Sequence, residues 1–281
     1  MPIDPAIEDN INSSGDYPPT MMPLKFFSAG YKLLGTFLNA AGEGPHKTVI
    51  LLHGFPGNET NLDIAHALRR AGWNVLVFHY RGLWGSEGNF SWSNCLDDVH
   101  AAIDFIVSKE SAERFRVAPN KIVLAGHSMG GFAALRTSAD YSELEHAASF
   151  AGFNFGYFAK LISVNSEFYD LSLERMQANA EIFSNINPAK LLDEMITCSA
   201  NFDLINFAGE LADKNILFIS AKYDTLAPPE IHSLPLINAM KKNGADRLID
   251  LEIDSGHSFS NSRIKLTKML INWLDKIKFK E

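Results

Sequence analysis

Short apolar runs alternate along this chain with segments in which apolar residues recur every three or four positions. The continuous runs predict strands buried on both faces, at residues 48–52, 74–78, 121–125, 147–151, 216–220 and 248–253. The periodic segments predict helices at residues 62–71, 97–107, 231–242 and 264–277. This alternation predicts an α/β fold, with a mostly parallel central sheet and helices on both of its faces.

Three further segments complete the expected organisation. Residues 24–28 and 31–39 flank Ala29-Gly30 and predict a β-hairpin. Residues 1–23 are expected to form an N-terminal tail that is poorly ordered or irregular, because the first 20 are rich in Asn, Ser, Pro and Asp. Residues 154–210 contain helix-like stretches at 172–183 and 188–195 but no convincing strand.

We expect residues 154–210 to form a small helical lid insertion over the carboxyl end of the sheet. Residues 24–153 and 211–281 would then form the core of the domain. The alternative is that these helices are ordinary crossover helices on the flank of the sheet. Insertions at the carboxyl end of a sheet often shape binding sites, which favours the lid.

Composition narrows the function classes. The chain has 281 residues, of which 46% are hydrophobic and 21% are charged, as in ordinary globular proteins. The net charge of −8 argues against a nucleic-acid partner, which would require a basic face. The first ten residues include three acids and no base, which is unlike a signal peptide, and no run of about 18 apolar residues predicts a membrane span.

Two cysteines, Cys95 and Cys198, lack the spacing of a metal site or a disulfide framework, which fits a reducing compartment. We therefore expect a cytoplasmic protein that acts on a small-molecule substrate. The sequence leaves open whether copies of the chain assemble into a homo-oligomer.

The motif Gly126-His127-Ser128-Met129-Gly130 lies between a predicted strand and a small, apolar segment that predicts a helix. Strand, G-x-S-x-G and helix together are the context of a nucleophile elbow. The turn is so tight that side chains two residues before and after the serine would collide with neighbouring backbone, which explains Gly126 and Gly130. Such a turn exposes the Ser128 hydroxyl at the end of the sheet, beside the free N–H groups of a helix N-terminus.

A serine hydroxyl needs a base within hydrogen-bond reach, and that base needs an acid to orient it. Asp224 and His257 follow Ser128 in the order that this architecture uses, and each lies just past a predicted strand. Asp250 and Asp254 are alternatives to Asp224, although both lie on or beside the strand that precedes His257. The sequence therefore predicts a Ser128–His257–Asp224 triad.

An oxyanion hole requires two backbone N–H groups, and the residue after the nucleophile, Met129, should supply one. The second should come from the loop His53-Gly54-Phe55-Pro56-Gly57, where Phe55 is the candidate donor and Pro56 has no N–H. We expect His53 to be structural, and His127 to pack or form hydrogen bonds locally.

The aromatic residues Trp84, Phe153 and Phe155 either line an acyl pocket or belong to the core. No cluster of metal ligands and no dinucleotide-binding loop is visible in the sequence. We therefore expect no cofactor and no metal.

Five motifs in this order resemble those of α/β-hydrolase-fold serine hydrolases, over roughly residues 24–279. They are His53-Gly54-Phe55-Pro56-Gly57, Tyr80-Arg81-Gly82-Leu83-Trp84-Gly85-Ser86-Glu87-Gly88, Gly126-His127-Ser128-Met129-Gly130-Gly131, Asp224 with Pro228, and Gly256-His257. The resemblance is strongest to small carboxylesterases and to dienelactone-hydrolase-like and acyl-peptidase-like members. It implies Ser128 as nucleophile, His257 as general base, Asp224 as its orienting acid, and Phe55 and Met129 as oxyanion donors. Position 221 is Ala where many relatives have Gly.

The expected function is hydrolysis of a small carboxylic ester through an acyl-enzyme. A thioesterase and a peptidase, similar to acylaminoacyl or dipeptidyl peptidases, are the enzymatic alternatives. Epoxide and haloalkane hydrolysis normally use an Asp nucleophile, and the serine at position 128 argues against both. The non-enzymatic alternative is a binding protein on the same fold, against which an intact triad argues.

Overall fold

The computed structural model describes residues 3–9, 15–183 and 185–280. Their strands form one eight-stranded sheet in the order β1-β2-β4-β3-β5-β6-β7-β8. The strands are β1 (Thr20–Ser28), β2 (Tyr31–Asn39), β3 (His46–Leu52), β4 (Asn74–Phe78), β5 (Val117–His127), β6 (His146–Phe150), β7 (Asn215–Ala221) and β8 (Leu248–Ile253). Every strand predicted from the apolar pattern is present.

The sheet is mostly parallel, as predicted. Strands β1 and β2 form the expected antiparallel hairpin, and β2 also runs antiparallel to β4. All other neighbouring strands are parallel, so the carboxyl ends of β3 to β8 lie at one edge of the sheet. Chain segments that follow these strands therefore meet at that edge.

Alternate residues of the inner strands pack into two separate apolar cores. On β5, Ile122 and Leu124 belong to one core, while Val123 and Ala125 belong to the other. Each core is closed by helices, so an inner strand has no solvated face and its sequence reads as a continuous apolar run.

Helices cover both faces of the sheet, and the inserted segment contributes further helices. They are α1 (Leu62–Arg70), α2 (Trp92–Val107), α3 (Lys109–Phe115), α4 (Met129–Asp140), α5 (Phe155–Ile162), α6 (Ser166–Ala180), α7 (Pro188–Thr197), α8 (Ser199–Phe202), α9 (Ala208–Ala212), α10 (Pro229–His232), α11 (Leu234–Lys242) and α12 (Arg263–Leu274). A 3₁₀ turn, Leu204–Phe207, precedes α9.

Among the helices whose bounds differ from the prediction, α2 and the pair α10 and α11 do so for identifiable local reasons. Helix α2 begins at Trp92, not at residue 97, because the Ser91 side chain caps it by accepting a hydrogen bond from the Asn94 N–H at 3.1 Å. The single helix predicted over residues 231–242 is divided at Ser233 into α10 and α11. Pro235, which has no N–H to donate, lies in the first turn of α11, where a proline is tolerated.

The described part of the expected N-terminal tail is in contact with the core. Strand β1 begins at Thr20, within the segment expected as tail. Asp4 forms an ion pair with Lys268 of α12, and the Pro5 carbonyl accepts a hydrogen bond from Arg70 of α1. Residues 1–2 and 10–14 of that segment lie outside the described residues.

Between β6 and β7, all regular elements of the described residues are helical. The stretch predicted at residues 172–183 forms α6, which begins earlier, at Ser166, because the Asn165 side chain caps it. Helix α7 is held against α2: the Glu194 carboxylate accepts the N–H groups of Trp92 and Ser93, each at 2.9 Å. The Trp92 indole also donates to the Leu191 carbonyl, so the core fixes the position of α7.

A buried ion pair holds the loop that follows β4. The Arg81 guanidinium contacts Asp98 of α2 at 2.6 Å, and the Arg81 N–H donates to the same carboxylate. Asp97, which is largely exposed, contacts the guanidinium at 3.2 Å. The two carboxylates thus share one arginine in very different surroundings.

This difference leads to a prediction. Asp98→Asn leaves the buried Arg81 charge without its main counter-charge and should lower the free energy of unfolding by about 3–5 kcal/mol. Asp97→Asn, the matched control, should cost less than about 1 kcal/mol because its pair is open to water. Urea unfolding of both variants measures the difference, and similar losses in the two would contradict it.

Candidate active site

Ser128 lies in the turn between β5 and α4. Its backbone angles are φ 55° and ψ −117°, a conformation that L-residues with side chains rarely adopt. Such strain persists only where the surroundings impose it, and it is frequent at functional sites.

The two glycines of the motif permit this turn. A Cβ atom at Gly126 would collide with the Gly130 carbonyl of α4, and a Cβ at Gly130 would collide with the Leu52 carbonyl of β3. Neither obstacle can move, because both are backbone atoms of packed elements. The predicted reason for these glycines is therefore confirmed.

Hydrogen bonds on both sides fix the Ser128 backbone. Its N–H donates to the Phe150 carbonyl at the end of β6, at 2.9 Å. Its carbonyl accepts the N–H groups of Phe132, at 3.1 Å, and Phe153, at 3.2 Å. The nucleophile candidate is thus attached both to the sheet and to the segment that follows β6.

Asp224 and His257 lie together, although they follow different strands. The distance from His257 Nδ1 to Asp224 Oδ2 is 2.7 Å. The second carboxylate oxygen accepts the N–H groups of Leu226, at 2.9 Å, and Ala227, at 2.8 Å. A buried carboxylate with all these partners holds the imidazole in one orientation.

The charge state of Asp224 follows from these contacts. Burial acts to raise the pKa of this carboxyl, but the bond to His257 and the two backbone N–H groups outweigh it, so the pKa lies below its ordinary value. Asp224 is therefore ionised at neutral pH and accepts the Nδ1–H of His257, which leaves Nε2 as the basic nitrogen.

The other aspartates considered from the sequence have different surroundings. Asp254 forms an ion pair with Lys222 at 3.2 Å and is largely exposed. Asp250 lies within β8, where it is paired in register with Phe218 of β7. The structure thus brings Asp224, and neither alternative, to the His257 ring.

His127 supports His257 from behind. Its Nε2 lies 2.8 Å from the His257 carbonyl oxygen, and burial lowers the pKa of His127 to about 3. The neutral ring must therefore donate from Nε2. This local role agrees with the expectation for His127.

Ser128 and His257 line one cavity of about 550 Å³. Within the described residues, the Ser128 hydroxyl forms no hydrogen bond. Bonds between a nucleophile and its base are often long in free enzymes and shorten when substrate binds.

Phe55 and Met129, the expected oxyanion donors, line the same cavity. Among the described residues, neither backbone N–H has a protein acceptor. Met129 is the first residue of α4, where N–H groups have no partner within the helix. Both amides are thus available to an oxygen of a bound molecule.

The loop that carries Phe55 is held in place from both sides. His53 is fully buried, and its Nδ1 lies 2.7 Å from the Gly54 carbonyl oxygen. Burial lowers the pKa of His53 to about 3, so the neutral ring donates this bond. The Trp84 indole donates to the Pro56 carbonyl at 2.8 Å.

Of the three aromatic residues proposed for the pocket, Phe153 and Phe155 line the cavity. Trp84 is not among the described residues that line it. It packs instead against Phe183, with ring centroids 5.4 Å apart, and supports the loop that carries Phe55 from outside the cavity. The bond from its indole to the Pro56 carbonyl holds Trp84 in this position, so its pocket-lining role stays a prediction.

The rest of the wall comes largely from the inserted segment. One face of α6 supplies Phe168, Leu171, Ser172, Arg175, Met176 and Asn179, which recur at helical spacing. Helix α7 adds Leu192 and Met195, so the wall is mainly apolar. Residues of the segment 154–210 thus form part of the cavity wall.

Sequence reasoning missed His232, which also lines the cavity. It is the last residue of α10 and is almost completely buried. Its ring packs on Phe153, with centroids 4.0 Å apart. Apolar periodicity assigned residue 232 to a helix but carried no signal of this contact.

The cysteines, possible metal ligands and possible membrane-spanning helices can also be compared with the structure. Cys95 is buried and Cys198 is partly exposed, and both thiols are free. The described residues hold no group of three or more His, Cys, Asp or Glu placed to bind a metal. No helix in the described ranges has both the length and the apolar character needed to cross a bilayer.

Part of this sequence is similar to that of a known protein. The uncharacterized protein YfhR of Salmonella typhimurium is 36% identical over 106 residues, which are 36% of this chain and 35% of YfhR. The match therefore spans about a third of the length of that relative.

Solved structures share the fold over nearly the whole chain. The Pyrococcus furiosus esterase Pf2001 superposes with a TM-score of 0.66 at 17% identity, covering 92% of this chain and 93% of the esterase. The Pyrococcus horikoshii acylaminoacyl peptidase gives a TM-score of 0.69 at 14% identity, covering 96% of this chain and 44% of the peptidase.

The sequence profile of the alpha/beta hydrolase family matches residues 49–194, about half of the chain. That match begins in β3 and includes the elbow at Ser128 and the first helices of the inserted segment. Together with the sheet order, which the esterase and peptidase folds share, it shows that this chain belongs to the alpha/beta hydrolase family.

Proposed function

We propose that the protein hydrolyses a small carboxylic ester through a Ser128 acyl-enzyme, with His257 as general base and Asp224 as its orienting acid. The observation that carries this proposal is the 2.7 Å bond between His257 and Asp224 at a cavity that Ser128 and His257 both line. Phe55 and Met129 N–H groups would hold the oxyanion. No cofactor takes part in the proposed reaction.

The first half of the reaction forms the acyl-enzyme. Ser128 Oγ attacks the ester carbonyl carbon while His257 Nε2 takes the serine proton. The carbonyl oxygen becomes an oxyanion that accepts hydrogen bonds from the Phe55 and Met129 amides. The tetrahedral intermediate then collapses, and the alcohol leaves with the proton from His257.

The second half releases the acid. Water gives a proton to His257 Nε2 as it attacks the acyl carbon, and the second tetrahedral intermediate expels Ser128 Oγ. His257 returns the proton to the serine. Asp224 remains an anion throughout and stabilises the imidazolium formed in both halves.

The size and lining of the cavity favour an ester with a small acyl group as substrate. A volume of about 550 Å³ suits a small molecule, and aromatic side chains such as Phe153 and Phe155 surround much of it. Amide hydrolysis needs additional help for the leaving nitrogen. A thioester and a short peptide are the alternative substrates. Direct comparison of hydrolysis rates on the three kinds of substrate decides among them.

Loss of the nucleophile gives the first prediction for this site. Ser128→Ala should lower kcat for p-nitrophenyl butyrate by roughly 10⁶-fold, because the acyl-enzyme can no longer form. It should also abolish labelling by a fluorophosphonate probe. Labelling of the folded variant at the wild-type rate would contradict the proposal.

Ser86→Ala is the matched control for that experiment. The Ser86 hydroxyl donates to the His79 carbonyl at 2.7 Å and accepts the Leu34 N–H at 3.0 Å, so it is structural and lies outside the described cavity lining. This variant should keep fluorophosphonate labelling while losing some stability.

The orienting acid gives a second prediction. Asp224→Asn should lower kcat by roughly 10⁴-fold, because an amide facing His257 Nδ1 favours the wrong tautomer. Asp254→Asn, which removes only the exposed pair with Lys222, should keep kcat within about twofold of the wild type. Stopped-flow or steady-state ester hydrolysis measures both, and equal effects would contradict the role of Asp224.

A substrate panel identifies the bond that is cleaved. It contains p-nitrophenyl acetate, butyrate and octanoate, an acyl-CoA and an aminoacyl anilide, each measured with wild type and Ser128→Ala. Turnover of the short esters alone supports an esterase. Turnover that depends on Ser128 and favours the acyl-CoA or the anilide would replace this assignment with a thioesterase or a peptidase.

A further inference from the structure

His232 is a buried polar side chain in the wall of an otherwise mainly apolar cavity. Only 2% of the residue is exposed, and it is among the residues that line the cavity. Its ring packs on Phe153, with centroids 4.0 Å apart, and on Phe158, at 5.7 Å. Neither the triad nor the oxyanion hole requires this imidazole.

The tautomer of His232 follows from one hydrogen bond. The backbone N–H of Asn154 donates to His232 Nδ1 at 3.0 Å, so this nitrogen must carry a lone pair. Burial lowers the pKa of His232 to about 3; His257 lowers it further, and Asp224 and the contact with the Asn154 backbone raise it by less. A neutral ring whose Nδ1 accepts must carry its proton on Nε2.

The acceptor side of the ring is firmly held. The Asn154 side chain donates to Asp203 at 3.1 Å and accepts the Leu204 N–H at 3.2 Å. Asp203 is buried and forms an ion pair with Lys160 at 2.6 Å. This network fixes the Asn154 backbone, so His232 cannot exchange its two nitrogens without breaking the bond at Nδ1.

The donor side has no partner. Among the described residues, no acceptor lies within hydrogen-bond distance of His232 Nε2, and the nitrogen is closed to solvent. A buried donor without an acceptor destabilises a protein, and such groups are rare in folded chains. Packing against Phe153 and Phe158 would be satisfied equally well by an apolar ring.

We propose that His232 Nε2–H is a specificity-determining donor, which binds an oxygen acceptor in the acyl group of the substrate. The preferred substrates are then esters whose acyl chain carries a keto or ether oxygen, and esters with plain hydrocarbon chains are poorer. This inference rests on the proposed esterase function. Since the nitrogen is closed to solvent in the free protein, the acceptor reaches it when side chains of the cavity wall move aside.

The position of Phe153 links this donor to the acyl side of the site. The Phe153 N–H donates a hydrogen bond to the Ser128 carbonyl, so Phe153 lies beside the proposed nucleophile. The side chain of the same residue packs on the His232 ring. Ser128, Phe153 and His232 line the same cavity, so an acyl chain attached to Ser128 enters the space beside the Phe153 and His232 rings.

Matched esters test the proposal. One pair is p-nitrophenyl methoxyacetate and butyrate, and a second pair is p-nitrophenyl 4-oxopentanoate and 4-methylpentanoate. In each pair the shape of the acyl group is nearly constant and only the oxygen differs. For each enzyme, the preference is kcat/KM for the oxygen-containing ester divided by kcat/KM for its hydrocarbon partner. Dividing the preference of the wild type by that of a variant cancels the intrinsic reactivity of the esters.

Two substitutions at His232 separate its nitrogens. In His232→Asn the side-chain oxygen can replace Nδ1 as acceptor for the Asn154 N–H, but nothing replaces the Nε2 donor. In His232→Gln the longer amide can place its NH₂ where Nε2 was. We expect His232→Asn to lose about tenfold or more of the preference for at least one oxygen-containing ester, mainly through KM, and His232→Gln to retain most of it.

His146→Asn is the matched control. This histidine is also buried, and among the described residues neither of its ring nitrogens has a side-chain partner. His146 is the first residue of β6, its ring packs on Phe279, and it does not line the cavity. Its substitution should leave the ratio of ratios near one, which separates loss of a buried histidine from loss of the donor.

Each outcome bears on one of the two proposals. Equal preferences in wild type and His232→Asn, with active enzyme, overturn the role of His232 alone. Nitrogen-15 NMR of the wild type, which needs no variant to fold, overturns it if His232 carries its proton on Nδ1. Absence of both ester turnover and fluorophosphonate labelling in the wild type would overturn the proposed esterase function, and this inference with it.

Discussion

The close approach of three backbone segments around Ser128 is the constraint on which the rest of the site depends. Strand β3, strand β5 and helix α4 come so near one another that a single Cβ atom at Gly126 or Gly130 would force them apart. The strained serine exists only because parallel pairing and the apolar cores hold these segments in register. The same turn places the Ser128 side chain at the edge of the sheet where all the parallel strands end.

The parallel order of the sheet explains how distant residues meet at that edge. Asp224 follows β7 and His257 follows β8, and these strands are neighbours, so their loops lie side by side. The carboxylate is fixed by backbone N–H groups on one oxygen and by His257 on the other. The histidine is held in turn by His127, whose position next to the serine connects the proposed acid–base pair to the elbow.

The inserted helices decide what the cavity can hold. Helix α7 is fastened to the core through Glu194 and Trp92, whereas α6 is largely exposed and contributes one face to the wall. Outside the inserted segment, α10 contributes the buried imidazole of His232 to the lining of the same cavity. A fixed tautomer with an unused donor gives the wall a polar position that a substrate oxygen can satisfy.

The sequence by itself determined the strands, the parallel sheet, the tight glycine-flanked turn at Ser128 and the order of the candidate triad, because apolar periodicity and backbone sterics are local properties. The tertiary structure decided that Asp224, and not Asp250 or Asp254, contacts His257, and that Trp84 lies outside the cavity. It also decided that His232 lies inside it, through a bond to Asn154 that joins residues far apart along the chain. Such contacts depend on how segments far apart along the chain pack against one another, and no local pattern encodes that packing.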